Sequence, residues 1–337
     1  MTTTRCYIKS MAMVSCQEPL SDKWLSAPLS HSGRYVRAME PDFRSLIPPM
    51  EARRMDRLMK RAVCTSLTAL REASLSMPDG IITATGGGCL ETSERFLTDM
   101  VRFGESCLKP TLFMQSTHNT LGARIAILLR CHGYNNTLSQ GEISMESAML
   151  DARLQMLTAN VRNLLVGAHD EVTPLMASVM ERVYPGMQLV SETSVSMVLD
   201  TDPDNALCEL SRVELFHRAT PAEVAAVLAS EIHDGVLLML GTNGNPANDD
   251  PYDSLVEALG YTADSLSFKP LFGENFSASA AGIYAAARML AAGVFPSHLW
   301  RREAAMQMPQ PVNAILIVNH SADGSWGAVK LYKPALR

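Results

Sequence analysis

The sequence lacks a long hydrophobic segment, a CxxC spacing and any stripe of basic residues. Its longest apolar runs, such as Val236 to Leu240, have the length of a strand and fall far short of the ~20 residues that span a membrane. The seven cysteines are odd in number and scattered, so they predict neither a disulfide framework nor a zinc site. The 29 basic residues are interspersed among 35 acidic ones, which argues against a nucleic-acid partner. The N-terminal residues MTTTRCYIKS contain no apolar signal core, and the sequence therefore predicts a cytoplasmic location.

What the sequence does contain is a 47% hydrophobic composition arranged in alternating strand-like and helix-like segments, which predicts an α/β protein. In the first half, strands are expected at 6–14, within 80–88, where the strand runs into a glycine loop, and at 136–139 and 163–166. Helices are expected at 50–73, 91–103, 119–130 and 142–158.

The second half repeats this order of elements. Thr220, Pro221 and Glu223 form a capping-box signature, and the helix that they open leads into the strand and glycine loop GVLLMLGTNG. A helix rich in Ala, Ser and Gly at 277–292 precedes a strand at 314–319. The stretches 198–205 and 245–251 are expected to be surface loops. We predict two halves of one plan, 1–175 and 176–337, packed as one compact unit.

Six segments in order resemble the β-ketoacyl synthase family. They are RRMDRLMKRAV, GIITATGGGCLETSERFL, FMQSTHNTLGARIAILLRCHG, NLLVGAHDE, FKPLFGENFSASAAG and ILIVNHSADGSWGAVKLY. The resemblance implies the thiolase-like five-layered α-β-α-β-α fold, an acyltransferase class of the 3-oxoacyl-[acyl-carrier-protein] synthase type, and a dimer formed along the edge strand of the first half. Within the family, QSTHNT and ISMESAMLDA are most similar to short homologues from polyene pigment clusters of the aryl polyene and flexirubin type.

A condensing enzyme of this family needs a cysteine at the start of a buried helix, two histidines and a lysine. In this sequence the cysteine position falls on Glu142, the first histidine on Leu240 and the second on Glu274, so that only Lys269 is kept. No cysteine lies between Cys131 and Cys208, and a shift of the register therefore does not restore one. The resemblance also implies substrate-binding positions at Thr117, His118, Asn119 and Gly273.

The two replacing carboxylates allow more than one interpretation. Either carboxylate would repel the malonyl carboxylate and the enolate, by about 4 kcal/mol for like charges 4 Å apart at an effective dielectric of 20. Glu142 is expected to stabilise a helix start or, alternatively, to act as an acid or base. Glu274 is expected either to pair with Lys269 or to lie in a solvated loop.

Other candidate sites are weaker. Cys89 follows a triple glycine and opens a helix, so it is either a nucleophile that His118 could approach or a small buried residue at a tight turn. The spacing of His118 and His132 does not favour a metal site, and His169-Asp170-Glu171 is expected to be structural. We predict no cofactor and no metal.

We therefore predict a non-catalytic subunit that resembles a chain-length factor and pairs with an active ketosynthase, with an acyl carrier protein docking on the pair. Two alternatives stay open. One is an atypical acyl-thioester decarboxylase, hydrolase or acyltransferase that uses Glu142, Glu274 and Lys269. The other is an acyl-binding homodimer without turnover.

Overall fold

A computed structural model describes residues 5–105, 108–158, 161–183, 185–301, 309 and 311–333. In this part of the chain, ten strands form one continuous sheet. The strands are β1 Tyr7–Val14, β2 Gly80–Ala84, β3 Tyr134–Leu138, β4 Asn163–Asp170, β5 Thr193–Asp200, β6 Cys208–Phe216, β7 Val236–Leu240, β8 Leu266–Ser267, β9 Ala314–His320 and β10 Trp326–Tyr332.

The strand order is β3-β2-β4-β5-β1-β6-β10-β9-β7-β8. Each set of five, numbered from its own first strand and read from the outer edge of the sheet inward, has the order 3-2-4-5-1. The two sets meet where Tyr7 and Ile8 of β1 pair with β6. In both sets the second strand pairs in parallel with the third and the fourth, whereas the fifth strand pairs antiparallel with the fourth and the first. The duplicated plan is thus present in the topology. The first set ends at Asp200 with β5, and the second begins at Cys208 with β6. The division of the chain into halves after residue 175 stays a prediction.

The described helices are α1 Pro49–Ala52, α2 Arg57–Glu72, α3 Leu90–Phe103, α4 Pro110–Gln115, α5 Thr120–Leu129, α6 Ser144–Thr158, α7 Pro174–Val183, α8 Pro221–Leu228, α9 Pro246–Ala258, α10 Lys269–Phe272 and α11 Ala278–Ala292. Helices α6 and α11 both contact strands of the two sets, and they therefore form the middle layer. Helices α2 and α5 cover the first set, and α8 and α9 cover the second. This arrangement confirms the five-layered fold class.

Small side chains let α11 pack in the middle layer. Most of this helix is buried, and a methyl group at Gly282 would come within 2.8 Å of the Phe268 ring. The capping box that opens α8 is confirmed, since Thr220 and Glu223 each bond the other's backbone amide. None of the described helices is long and apolar enough to cross a membrane.

Three of the expected boundaries are wrong here, and side-chain caps explain the first two. The helix expected at 50–73 is two helices, because Asp56 caps α2 by accepting the Met59 amide at 2.7 Å. The stretch from 245 is not a loop but the start of α9, where the Asn245 side chain accepts the Ala247 amide and Pro246 occupies the first helical position. The loop expected from 198 begins after Asp200, where β5 ends.

Candidate functional site

The residues aligned with the condensing machinery lie just before α6, at the end of β7, and at and just after α10. Helix α6 begins at Ser144, so Glu142 lies in the turn before the helix. The helix-start interpretation requires Glu142 in the first turn of the helix, and it is therefore wrong. The Glu142 carbonyl accepts the Asn319 side-chain amide at 2.8 Å, and its carboxylate accepts the Ser321 hydroxyl at 2.7 Å. Glu142 therefore links the turn before α6 to the end of β9.

Leu240 is the last residue of β7 and is completely buried. It pairs in register with Val318 of β9 and Ser267 of β8. A leucine side chain neither donates nor accepts a hydrogen bond, so this position offers no group that could stabilise an enolate.

Lys269 and Glu274 form a buried ion pair. The Nζ–Oε2 distance is 2.9 Å, and the side chains are 2% and 0% exposed. The Asn243 side-chain amide donates to the same Oε2 at 2.7 Å, whereas Oε1 of Glu274 has no hydrogen-bond partner among the described residues. Of the two interpretations of Glu274, the ion pair is therefore confirmed and the solvated loop is wrong.

Gly273 sets the turn that brings this pair together. Its φ is +87°, and a methyl group there would lie 2.4 Å from Cβ of Ser191. Its amide donates to the Lys269 carbonyl at 2.7 Å and closes α10. The left-handed backbone and the close approach both require glycine. The described contacts thus give Gly273 a structural role, and its substrate contact stays a prediction.

A third carboxylate, that of Glu146 in the first turn of α6, belongs to this site and was missed in the sequence. It is 1% exposed, accepts the Ser279 hydroxyl at 3.0 Å and packs against Gly327. Burial raises its pKa to about 7, against opposing effects that include Ser279 and Lys269. We call Glu142, Glu146, Leu240, Lys269 and Glu274 the central cluster.

The predicted substrate positions at 117–119 lie elsewhere. Thr117, His118 and Asn119 are exposed, before α5. Thr117 and Asn119 line a groove of about 1220 Å³ that has no central-cluster residue in its lining. The His118 ring lies beside Gly88, about 3.4 Å from the position of an added Cβ. Among the contacts described for the chain, none joins these residues to Lys269 or Glu274.

The groove runs between α2, α3, α4 and α5 and carries a surplus of positive charge. Six cations and three carboxylates line it, namely Arg53, Arg54, Arg57, Lys60, Arg95 and Arg124 against Glu40, Asp56 and Glu91. The whole chain has a net charge of -6, so this local sign is opposite to the overall one. We call this feature the basic groove; it is not apparent in the sequence.

Cys89 is fully buried before α3, and burial together with Asp56 and Glu171 raises the pKa of its thiol. A raised pKa disfavours the thiolate, so the structural interpretation of Cys89 is supported.

Asp170 accepts the Thr85 and Ser277 hydroxyls and the amides of the glycine loop. Burial lowers the pKa of His169 to about 3. The described residues contain no group of three or more His, Cys, Asp or Glu side chains placed to hold a metal ion.

Chemically, the central cluster contains three carboxylates and one ammonium group, and the ammonium is neutralised by Glu274. A thiolate that could take up an acyl chain is absent from it. The described geometry therefore supports a buried polar contact between the two sets of strands better than a condensing centre.

Comparisons with known proteins agree with the architecture. The family model of the beta-ketoacyl synthase N-terminal domain matches residues 24–241. Among solved structures, a complex of a type II PKS acyl-carrier protein with its hexaketide-bound ketosynthase (AntDE:AntF) has a TM-score of 0.79 at 13% identity, covering 98% of this chain and 99% of that one. The ishigamide ketosynthase/chain length factor has a TM-score of 0.79 at 16% identity, covering 98% and 100%. The ketosynthase ApeO in complex with its chain length factor ApeC from Xenorhabdus doucetiae has a TM-score of 0.78 at 15% identity, covering 98% of each chain. No curated protein matches the chain.

Proposed function

Because this chain belongs to the beta-ketoacyl synthase family, we propose that it is a non-condensing subunit of chain-length-factor type, paired with a ketosynthase that carries the cysteine. Its place would be in polyene or polyketide-type biosynthesis. The observation that carries the proposal is the Lys269–Glu274 ion pair, which occupies the positions of the family's lysine and second histidine.

The charge of the central cluster opposes the family's reaction. A malonyl carboxylate entering this site would meet Glu142 in place of a thiol, and the Lys269 ammonium that could attract it is already paired with Glu274. At 4 Å and an effective dielectric of 20, a like-charge contact with Glu142 would cost about 4 kcal/mol, which corresponds to about three orders of magnitude in rate. A subunit with this centre contributes its scaffold and surfaces rather than the condensation step.

The partner ketosynthase would pair with strand β3. This strand lies at one end of the sheet order, and on its inner side it pairs in parallel with β2. A strand edge is a template for pairing with another chain. Leu154 and Leu157 on α6, the helix that packs on β3, are each 50% exposed and supply apolar surface beside that edge.

The acyl carrier protein would dock on the basic groove. A carrier presents at least the negative phosphate of its pantetheine arm, and a cationic surface attracts such a partner over a distance of about one Debye length. The groove combines six cations with exposed apolar side chains, since Met114 and Ile127 at its lining are 71% and 69% exposed. This combination suits a protein partner with both charged and apolar contacts.

The proposal is tested by reconstitution with a cysteine-bearing ketosynthase of the same pathway. We expect the two chains to copurify, the pair to extend malonyl-loaded carrier, and this chain alone to give no condensation product by mass spectrometry. Leu154→Asp together with Leu157→Asp should abolish copurification, while Val294→Asp, at a similarly exposed apolar position, should not.

Two results would contradict the proposal. One is condensation by the isolated chain, and the other is a ketosynthase whose rate and product length are the same with and without this chain. Decarboxylation of malonyl-carrier by the isolated chain, lost in Glu142→Ala, would support the enzymatic alternative.

A further inference from the structure

Strand β3 is the open edge of the sheet. At the opposite end of the strand order, β8 has two residues, and Trp300 bridges to Leu266 and covers that edge. Strand β3 has five residues, Tyr134–Leu138, and among the described strands only β2 pairs with it. An unpaired edge of this length is a template for a strand of another chain.

A carboxylate lies directly beside this edge. Tyr134 and Asn136, two residues apart on β3, point to the same face of the sheet and meet Asp151 of α6. The Tyr134 hydroxyl donates to the two Asp151 oxygens at 3.2 and 3.0 Å, and the Asn136 side-chain amide donates at 3.1 Å. Gln155, one turn further along α6, donates at 3.3 Å. Asp151 is half-buried, and these four side chains form one network at the edge.

All the donors in this network are neutral. Of the cations on the adjacent helices, Arg124 of α5 pairs with Glu51, and Arg153 of α6 lies near Cys6, two positions from Asp151 and thus on the other side of the helix. No ion pair among the described residues includes Asp151. The negative charge beside β3 therefore has no counter-ion in the described part of the chain.

Pairing with a second copy of this chain would bring two such charges together. A two-fold axis places the same surface of each copy face to face, and antiparallel pairing over the full length of β3 puts Asn136 opposite its own copy. Directly opposed Cβ atoms are about 5 Å apart, so the two Asp151 carboxylates would lie on the order of 10 Å apart. The second chain would also exclude water from the surface beside Leu154 and Leu157, and an uncompensated buried charge is strongly destabilising.

We propose that Asp151 selects the chain that pairs with β3. It opposes a second copy of this chain, and it favours a partner that places a lysine or an arginine beside Asn136. A cation at that position neutralises the carboxylate and replaces repulsion by attraction, and complementary charges of this kind distinguish partners that offer similar apolar contacts. The identification of that partner as a ketosynthase rests on the proposed function.

A charge swap in the isolated chain tests this selection. Sedimentation velocity over a concentration series gives the dimer dissociation constants of the wild type, Asp151→Asn, Asp151→Lys and an equimolar mixture of wild type with Asp151→Lys. Because two unit charges 10 Å apart at an effective dielectric of 20 change affinity by roughly tenfold, Asp151→Asn should self-associate more tightly than the wild type by at least that factor. The mixture should associate more tightly than either of its components by the same factor or more. Asp250→Asn and Asp250→Lys, at an exposed position of α9, are the matched controls and should behave as the wild type.

Two results would overturn the selection. One is an Asp151→Asn variant that is as monomeric, or as dimeric, as the wild type, and the other is a mixture that associates no more tightly than its components. Circular dichroism establishes that each variant is folded, and if Asp151→Lys is not, the comparison of Asp151→Asn with the wild type decides alone.

A second experiment uses a cysteine-bearing ketosynthase that copurifies with the chain. Asp151→Asn should weaken this pairing by about tenfold, because it removes the attraction to the partner's cation, whereas Asp250→Asn should not. An unchanged affinity would refute a cation opposite Asp151. The charge swap contains no ketosynthase, so its outcome does not depend on whether the proposed function holds.

Discussion

Removing one member of the Lys269–Glu274 pair should destabilise the protein more than removing both. At the observed 2.9 Å and an effective dielectric of 20, the attraction between the two charges is about 6 kcal/mol. Loss of one partner leaves the other as an uncompensated buried charge, which typically costs 3–5 kcal/mol. We therefore expect Lys269→Met and Glu274→Gln each to lower the free energy of unfolding by roughly 3–5 kcal/mol.

The double variant should recover part of this loss, because it leaves neither charge unpaired. The thermodynamic cycle should give a coupling free energy above about 3–5 kcal/mol, larger than either single loss and within the range measured for close charge pairs. Urea unfolding at pH 7 measures all four proteins, and an unchanged m-value shows that the same unfolded state is reached. Exposed pairs contribute only about 0–1 kcal/mol, so the Arg34–Glu181 pair, whose side chains are 68% and 61% exposed, is the matched control cycle.

Single substitutions that each cost less than about 1 kcal/mol, or costs that simply add in the double variant, would refute this reasoning. Either result would mean that water enters the central cluster and screens the pair. The site would then be accessible to a substrate, and the argument against a condensing or decarboxylating centre would lose its main support.

Three further predictions concern other parts of the chain. Glu146→Gln should abolish the loss of stability that occurs as pH rises from 4.5 to about 7, because over this range the folded carboxyl keeps its proton while the unfolded one ionises. Urea unfolding at pH 8 should show the variant to be more stable than the wild type by about 3 kcal/mol, and an unchanged pH profile would contradict this prediction. Gly273→Ala should cost at least about 2 kcal/mol in thermal or urea unfolding, since strain and overlap add, whereas Gly260→Ala, with φ of +61° and open space, should cost about 1 kcal/mol. Arg54→Glu should weaken carrier binding at least tenfold in calorimetry at low salt, while Arg102→Glu on α3, outside the groove lining, should not; equal losses would place the carrier elsewhere.

Local sequence signals predicted the elements that depend on short-range chemistry. The capping box at Thr220 and the small-residue helix at 277–292 were both identified, because the residues that determine them are adjacent in sequence. The start of α6 was not, because Gly141 takes a left-handed φ of +57° and Ser144 bonds back to the Gly141 carbonyl, which delays the helix past Glu142. Polar residues in 245–251 suggested a loop, whereas Asn245 uses its side chain to start a helix.

The two features that were missed depend on tertiary contacts. Glu146 becomes part of the central cluster only because α6 packs between the sheets and meets Ser279 of α11. The cations of the basic groove are distributed from Arg53 to Arg124, and acidic residues between them hide the surplus in the sequence. Folding brings four helices together and separates the charges by location, which composition alone cannot show.

Under the proposed function, a glutamate at the family's second histidine position explains how the fold tolerates a centre without condensing residues. Lys269 is 2% exposed, and a neutral residue at 274 would have left its ammonium buried without a counter-ion. Glutamate supplies that counter-ion and keeps the contact between α10 and the strand ends, but it also places a negative charge where the family's reaction develops one. The substitution that protects the scaffold is thus the same one that opposes the chemistry. Under the proposed function, the chain therefore acts through two surfaces, namely the edge of β3 and the basic groove.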